Sequence, residues 1–415
     1  MASHAGRATR AHDAAPRADR HGARHAAHIR GLNIERVLDV VMDSSVPFTR
    51  NELMKATGLS APTVGNLTTH LIRAGVVADR GTGPSSGGRR PSFMEFNPRH
   101  GYVGGIDLGP TRTRLAVADL RGERLSERII PTPRLEPSAL LGKLAEAFRG
   151  AMHEADAPMD RLLAVAAGAP GAVDCDTGTV AFAPNLQGWS KVPMRDILEK
   201  ALGAPVSVEN DVNLAVLGEH WRGAARGHDT CAFIFVGTGI GAGILIDGEL
   251  HRGRHFMAGE IAVMCMGAEY AEQDFGSRGC FESLAGLAAL AARWPNGAKG
   301  DPAQWMANLF AASRNGDRHA RKAIEDTARL IGIAVANVDA VVDPSLIILG
   351  GALFVEADPL FEEVRRVVLR IARSPLEIAL SALGKDAPLS GSLLVAGMEA
   401  RRRVRQSLRE ARFAS

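Results

Sequence analysis

The sequence predicts a winged helix-turn-helix followed by an α/β domain, and three observations carry that fold class. Two short helical runs, residues 50–57 and 61–74, flank the turn Gly58-Leu59-Ser60, which is the helix-turn-helix spacing. Beyond residue 99, apolar runs end in glycine-bearing turns and mix with helical runs, as in a sheet covered by helices. The plan strand, Gly/Thr turn, strand occurs twice, at residues 102–118 and 236–247, which suggests two related halves, each opening with a ligand-facing hairpin.

Size and composition bound the function classes. A chain of 415 residues is too long for one ordinary core, so two or three domains are expected. Hydrophobic content of 46% and charged content of 23% are those of a globular protein. The net charge of +3 makes any nucleic-acid surface local. No apolar run approaches the ~18 residues of a membrane span, and the N-terminus has no apolar leader, so a cytoplasmic protein without a membrane partner is expected. Cys175, Cys231, Cys265 and Cys280 are scattered without CxxC spacing, which points to reduced thiols and away from disulfides or a metal knuckle.

Residues 1–30 are Ala, Arg and His with few large apolar side chains, the composition of a disordered basic tail. The DNA-binding domain is expected over residues 31–98. Ile34, Val37, Leu38 and Val41 fall on one face of a helix. Arg50 opens the second helix. Ser60 is placed to cap the third, whose Val64, Leu67 and Leu71 face inward. In a helix-turn-helix that third helix enters the major groove. Its outward residues would be Pro62, Thr63, Gly65, Asn66 and Thr69, small and polar, with Asn66 suited to an adenine edge. A β-run from residue 76, a loop carrying Gly87-Gly88-Arg89-Arg90-Pro91 and a return strand at 93–96 complete a wing. Arg89 and Arg90 would touch DNA there; the competing reading is a linker with solvated arginines.

The α/β domain is expected over residues 99–415. In its centre Asn210 and Asp211 follow the apolar run 204–208 and precede a helical run, so they belong at a strand end, where open α/β sheets bind ligands. Two readings stand: a carboxylate accepting a ligand hydroxyl, or a plain N-cap. Gly237, Gly239, Gly241 and Gly243 alternate just downstream, which favours a hairpin wrapped around a ligand over an ordinary strand. Asn185, near Trp189, reads equally as a sugar contact or as turn chemistry after Pro184. Residues 331–342 mark a buried helix, and 346–349 a buried strand ending in Gly350-Gly351. The arginines at 401–405 read as a solvent-facing helix.

On these motifs residues 33–398 resemble the ROK family of repressors, open reading frames and sugar kinases, in particular its winged-helix repressors of the xylose and N-acetylglucosamine type. The resemblance implies a two-lobed actin-like (hexokinase/RNase H-like) ATPase fold with a sugar in the cleft. It implies nucleotide-binding roles for Asp107, Gly109 and Thr111 in a first phosphate motif, Gly237, Thr238 and Gly239 in a second, and Gly350 and Gly351 in an adenosine motif. It implies sugar contacts from Asn185, Asn210, Asp211, Glu260 and Glu282, with Asp211 at the catalytic base of kinase members.

Departures from the family pattern shape the expectation. The Glu-x-Gly-His motif reads Glu260-Ile261-Ala262-Val263 here, and Pro110 replaces a phosphate-loop glycine and removes an N–H. Of the zinc motif Cys-x-Cys-Gly-x-x-Gly-Cys-x-Glu, read here from Gln273 to Glu282, Cys280 is the one cysteine left, so no zinc and no required cofactor are expected. The resemblance then implies a homodimeric or homotetrameric repressor with a DNA operator and a sugar effector. The alternatives are a sugar kinase using ATP and Mg²⁺, and a DNA-binding protein whose cleft takes no ligand.

Overall fold

Glu52 sits three residues after Thr49, and this pairing fixes the start of helix Arg50–Thr57. The Thr49 hydroxyl accepts from the Glu52 N–H (3.3 Å) while the Glu52 carboxylate accepts from the Thr49 N–H (2.6 Å), a reciprocal cap on helix Arg50–Thr57. The computed structural model describes residues 18–82, 92–295, 297–354, 358–373 and 375–410. Its chain forms two compact units, Met1–His100 with Arg402–Ser415, and Gly101–Arg401.

In the first unit, helices Ala18–Asp43, Arg50–Thr57 and Ala61–Arg73 bury Val37, Leu38, Leu53, Val64, Leu67 and Leu71 against Met94 and Phe96. Strands Val77–Thr82 and Ser92–Phe96 pair antiparallel, and the short strand Phe48–Thr49 adds to the second of them. Helix Ala18–Asp43 runs through residues that composition assigned to a disordered tail up to residue 30. The stretch is rich in Ala and Arg, both good helix formers, and continues a helix already nucleated by the packed face of Ile34 to Val41. The end of the last helix, Ala387–Glu410, is not the solvent-facing run that its arginines suggested. Val404 and Leu408 are buried, Arg405 pairs with Asp39, and Arg409 pairs with Glu35 at 2.7 Å.

The second unit contains two five-stranded sheets with one shared plan. The first lobe orders its strands Val206–Asn210, Leu162–Ala169, Tyr102–Leu108, Arg112–Asp119, Arg124–Pro131. The second orders Glu377–Leu380, Leu346–Gly350, Cys231–Val236, Ile240–Ile246, Glu249–Leu250. In each, three antiparallel strands are extended by two parallel ones, so the duplicated hairpin read from the sequence is a duplicated sheet. Helices Pro137–Glu154 and Met194–Leu202 bury Leu141, Phe148 and Leu198 in the first lobe. Helices Pro302–Arg314 and Arg318–Val342 bury Leu309, Ile331 and Val335 in the second. Among the described residues, no helix is long and apolar enough to cross a membrane.

The glycine pattern in Ile240–Ile246 has a packing cause. A Cβ at Gly243 would stand 2.5 Å from the Val212 carbonyl oxygen, and one at Gly241 3.4 Å from the Val212 side chain. Helix Asp211–Arg222 therefore crosses this strand closely at Gly243, which admits the helix, while Gly241 meets Val212 at ordinary contact distance and lines the cavity.

Candidate functional site: a carboxylate-lined cavity between two lobes

Strand Val206–Asn210 ends at the cleft and helix Asp211–Arg222 begins there, so the corner between them is fixed by capping. The Asn210 side-chain oxygen Oδ1 accepts from the N–H groups of Val212 (2.9 Å) and Asn213 (3.1 Å), and its side-chain Nδ2 donates to the Gly171 carbonyl (2.9 Å). The N-cap reading thus holds for Asn210. With both acceptor positions filled, one N–H remains for a ligand. Asp211, the first helical residue, points its carboxylate into the same space and sits at the positive end of the helix.

All five residues assigned to a sugar, Asn185, Asn210, Asp211, Glu260 and Glu282, line one cavity of about 250 Å³, together with Thr238 and Gly239. That volume lies near the small end of ligand pockets, which run from ~300 to 1,000 Å³. Glu282 accepts from the Ile240 N–H at 3.2 Å. A Cβ on Gly239 would lie 3.6 Å from the Glu282 carboxylate and 3.7 Å from the Asn185 amide, so this turn touches residues of both lobes.

The electrostatics are those of crowded acids in a partly dry cleft. Burial, and then the neighbouring Asp107, push the Asp211 carboxyl up to about 7; the Val212 N–H opposes the shift and Glu260 adds to it. Burial pushes Asp107 up to about 6, against the pull of Arg114 and with a contribution from Asp386. Glu260 is raised by burial and by Glu282, and Glu282 by burial against the Ile240 N–H and Arg278. A carboxyl poised near neutrality can take a proton from a hydroxyl or accept its hydrogen bond.

The residues assigned to phosphates divide. Thr111 and Thr238 face a second cavity, of about 410 Å³, shared with Asn185. Gly109 and Gly237 spend their N–H groups closing their own turns, on Arg112 O (3.1 Å) and Gly239 O (2.9 Å). Gly350 packs its Cα against the Phe233 ring. Gly351, at φ +98, would place a Cβ 2.5 Å from the Val236 carbonyl oxygen, so backbone crowding alone accounts for glycine there.

Zinc does not fit the residues present. Gln273 and Phe275 occupy two cysteine positions of the family motif. Phe275 stacks edge-on against Tyr270 at 6.1 Å, and Cys280 is buried in helix Cys280–Ala285. Among the described residues, no group of three His, Cys, Asp or Glu side chains is placed to hold a metal ion.

In the first unit, Pro62, Asn66 and Thr69 are exposed on one edge of helix Ala61–Arg73, with Thr63 and Gly65 half-buried beside them. Ser60 occupies the N-cap position, but its hydroxyl pairs with that of Thr63 (2.9 Å) and not with a backbone N–H. Arg50 is half-buried and donates to the Thr68 hydroxyl at 3.0 Å, which ties the two helices together. Arg89 and Arg90 lie outside the described residues.

Sequence reasoning passed over Glu209, Asn213, Arg252, Arg278 and Phe256. Asn213, Arg278 and Phe256 line the cavity. Glu209 stands behind it, buried and bonded to Asn213 and Arg252. The charge of Glu209 beside Asn210 was a usable signal. Nothing local marks Arg252 or Phe256, whose φ of 56 is rare for an aromatic residue.

Residues 103–398 match the ROK family. The xylose repressor of Caldicellulosiruptor bescii is 30% identical over 356 residues, 82% of this chain and 88% of that protein. A ROK hexokinase from Thermus thermophilus is similar with a TM-score of 0.61 at 33% identity, covering 72% of this chain and 99% of the hexokinase. A ROK family transcriptional regulator, a homologue of the E. coli MLC protein, shares the fold over 92% of this chain and all of its own, with a TM-score of 0.74 at 23% identity. The lobed sheets, the acidic cavity between them and the family match over most of the chain lead to one assignment: the chain belongs to the ROK family.

Proposed function

We propose that the chain is a sugar-responsive transcriptional repressor whose first unit is a winged helix-turn-helix. One observation carries the reading. The hexokinase, matched over 99% of its own length, accounts for 72% of this chain, whereas the xylose repressor relative extends to 82%. The first unit, with its helix pair and hairpin, lies outside the two-lobed unit that carries the cavity.

Helix Ala61–Arg73 enters the major groove of an operator with Pro62, Asn66 and Thr69 leading, while Gly65 and Thr63 let its backbone approach. Arg50 and Ser60 flank this surface. The hairpin of Val77–Thr82 and Ser92–Phe96 is the wing, and Arg89 and Arg90, which lie between its strands in the sequence, contact the DNA backbone or minor groove. A dimer or tetramer of the chain matches a two-fold site. In the second unit Asp211, Glu260, Glu282, Asn185 and the free N–H of Asn210 hold sugar hydroxyls. Sugar releases DNA because it binds the DNA-free state more tightly; an equal affinity for both states would shift nothing. Val263 stands where the family has histidine, which narrows the sugars that fit.

Asp211→Ala tests the reading. The variant is expected to keep operator binding and lose its response to sugar. A normal sugar response would refute the assignment of the cavity.

A sugar kinase is the second reading, favoured by an Asp211 carboxyl held near 7 and by the hexokinase likeness. Asp211 would take the proton of the sugar hydroxyl as it attacks the γ-phosphate of ATP. The N–H groups of Thr111, Thr238 and Gly239, with Asp107 for Mg²⁺, are what the two turns offer to that substrate. Turnover of a monosaccharide panel with ATP, abolished in Asp211→Ala, would establish it.

A further inference from the structure

We propose that Arg252 is a positioning residue for the cavity: reaching from the second lobe to Glu209 on the first, it sets the span between Asp211 and Glu260, the two carboxylates that face each other across the cleft. The inference rests on the reading of this cavity as a sugar site.

Glu209 lies at the end of the first-lobe strand Val206–Asn210 with its side chain 6% exposed, facing Asn210, Asn213, Arg252 and the Cys175 thiol. One carboxylate oxygen accepts from the Asn210 N–H (2.9 Å) and from the Asn213 amide (2.9 Å). The other accepts from the Arg252 Nε at 2.7 Å. Asn210 and Asn213 are the N-cap and the first turn of the helix that begins with Asp211, so Glu209 holds the corner from which Asp211 projects.

Arg252 follows strand Glu249–Leu250 of the second lobe and opens the segment that leads to Glu260. Its carbonyl accepts from the Ala258 N–H (3.2 Å), and the Glu260 N–H donates to Met257 O (3.2 Å). The Gly259 carbonyl accepts from the Ala242 N–H at 2.7 Å, which pins this segment to the second sheet. The Arg252 guanidinium therefore joins the segment carrying Glu260 to the strand end that leads into Asp211. Neither Arg252 nor Glu209 is among the residues lining the cavity, so their influence on a ligand passes through the groups they hold. Without Arg252, a buried carboxylate would lose its counter-charge and the corner would shift to resolvate it.

The test uses the full chain and calorimetric titration with a monosaccharide panel headed by D-xylose and D-glucose, alongside binding of wild-type-selected DNA without sugar. Arg252→Gln is expected to weaken sugar binding about tenfold or more, as displaced binding groups do, while DNA affinity stays within about twofold. Arg252→Lys should recover most of the loss. Glu209→Gln combined with Arg252→Gln should lose no more than Arg252→Gln alone, because both act on one corner. Sugar affinity unchanged in Arg252→Gln, losses that multiply in the double variant, or sugar and DNA affinity falling together would each overturn the proposal. Asp211→Ala separates the two levels. Sugar binding that survives in Asp211→Ala, or no binding of any panel member by wild type, overturns the cavity's assignment and the proposal with it. Loss in Asp211→Ala with Arg252→Gln unaffected overturns Arg252 alone.

Discussion

Asp211→Asn should make the protein more stable and less responsive to sugar, and the gain in stability should grow with pH. Burial and Asp107 hold the folded-state carboxyl up to about 7, against ~3.9 in an unfolded chain. Well below pH ~4 the group is protonated in both states, and an asparagine of the same shape changes little. As pH rises towards 7 the unfolded chain releases a proton that the folded chain retains, so wild-type stability falls. Above that the penalty is complete. About three pKa units at ~1.4 kcal/mol each give an upper figure of about 4 kcal/mol, and sharing of the strain with Asp107 brings the expectation to roughly 2–4 kcal/mol. Asparagine escapes the penalty and still offers its carbonyl oxygen to the Val212 N–H that Asp211 now accepts at 2.9 Å. Scanning calorimetry of both proteins at pH 4.5, 6 and 8 reads the difference, which is expected to be smallest at pH 4.5, about a quarter of its full size, with the variant melting several degrees higher at pH 8. A gain independent of pH, or a variant less stable at pH 8, would refute the reasoning. The site then trades stability for function, as buried ligand-binding acids do.

The remaining predictions concern the first unit and the metal. A Cβ at Gly65 would meet nothing within 4 Å, so Gly65→Ala should stabilise the helix by about 0.5–1 kcal/mol yet lower operator affinity several-fold, because the methyl stands on the DNA-facing edge; thermal melting and fluorescence anisotropy should move in opposite directions. Replacing Arg89 and Arg90 together with alanine should weaken DNA binding at all sequences and flatten its dependence on salt by about one to two in log–log slope; an unchanged slope removes the wing from the interface. Chelator-free purified protein should carry no stoichiometric zinc by elemental analysis, because Gln273 and Phe275 stand where ligands would be needed; one zinc per chain would contradict this.

Much of this architecture is legible in the residues because its signals are local. Helices Arg50–Thr57 and Ala61–Arg73 lie where period and turn chemistry put them, and strand Val206–Asn210 delivers Asp211 to the cleft as its apolar run implied. The doubled Gly/Thr hairpin reported a doubled sheet. The Thr49–Glu52 cap was also legible, as Thr-x-x-Glu before a helix. What was not legible depends on partners distant in sequence. Gly243 looks like part of a ligand loop until the helix crossing it is known. The last arginines look solvated until Glu35 and Asp39 arrive from the other end of the chain. Arg252 lies 43 residues from Glu209, and no spacing rule joins them. Asn210 carried both readings at once, cap and cavity wall, because one amide has enough bonding positions for each.

The central claim, a repressor released by sugar, is tested most directly by one titration. DNA fragments are selected from the source genome by the purified wild-type chain, and the tightest is labelled and followed by anisotropy as monosaccharides are added at fixed protein concentration. A discrete, near-palindromic fragment that one sugar releases from wild type, at concentrations that leave the Asp211→Ala complex intact, is the expected result. Selection no better than random DNA, or a complex indifferent to every sugar, would contradict the claim and move the weight to phosphoryl transfer.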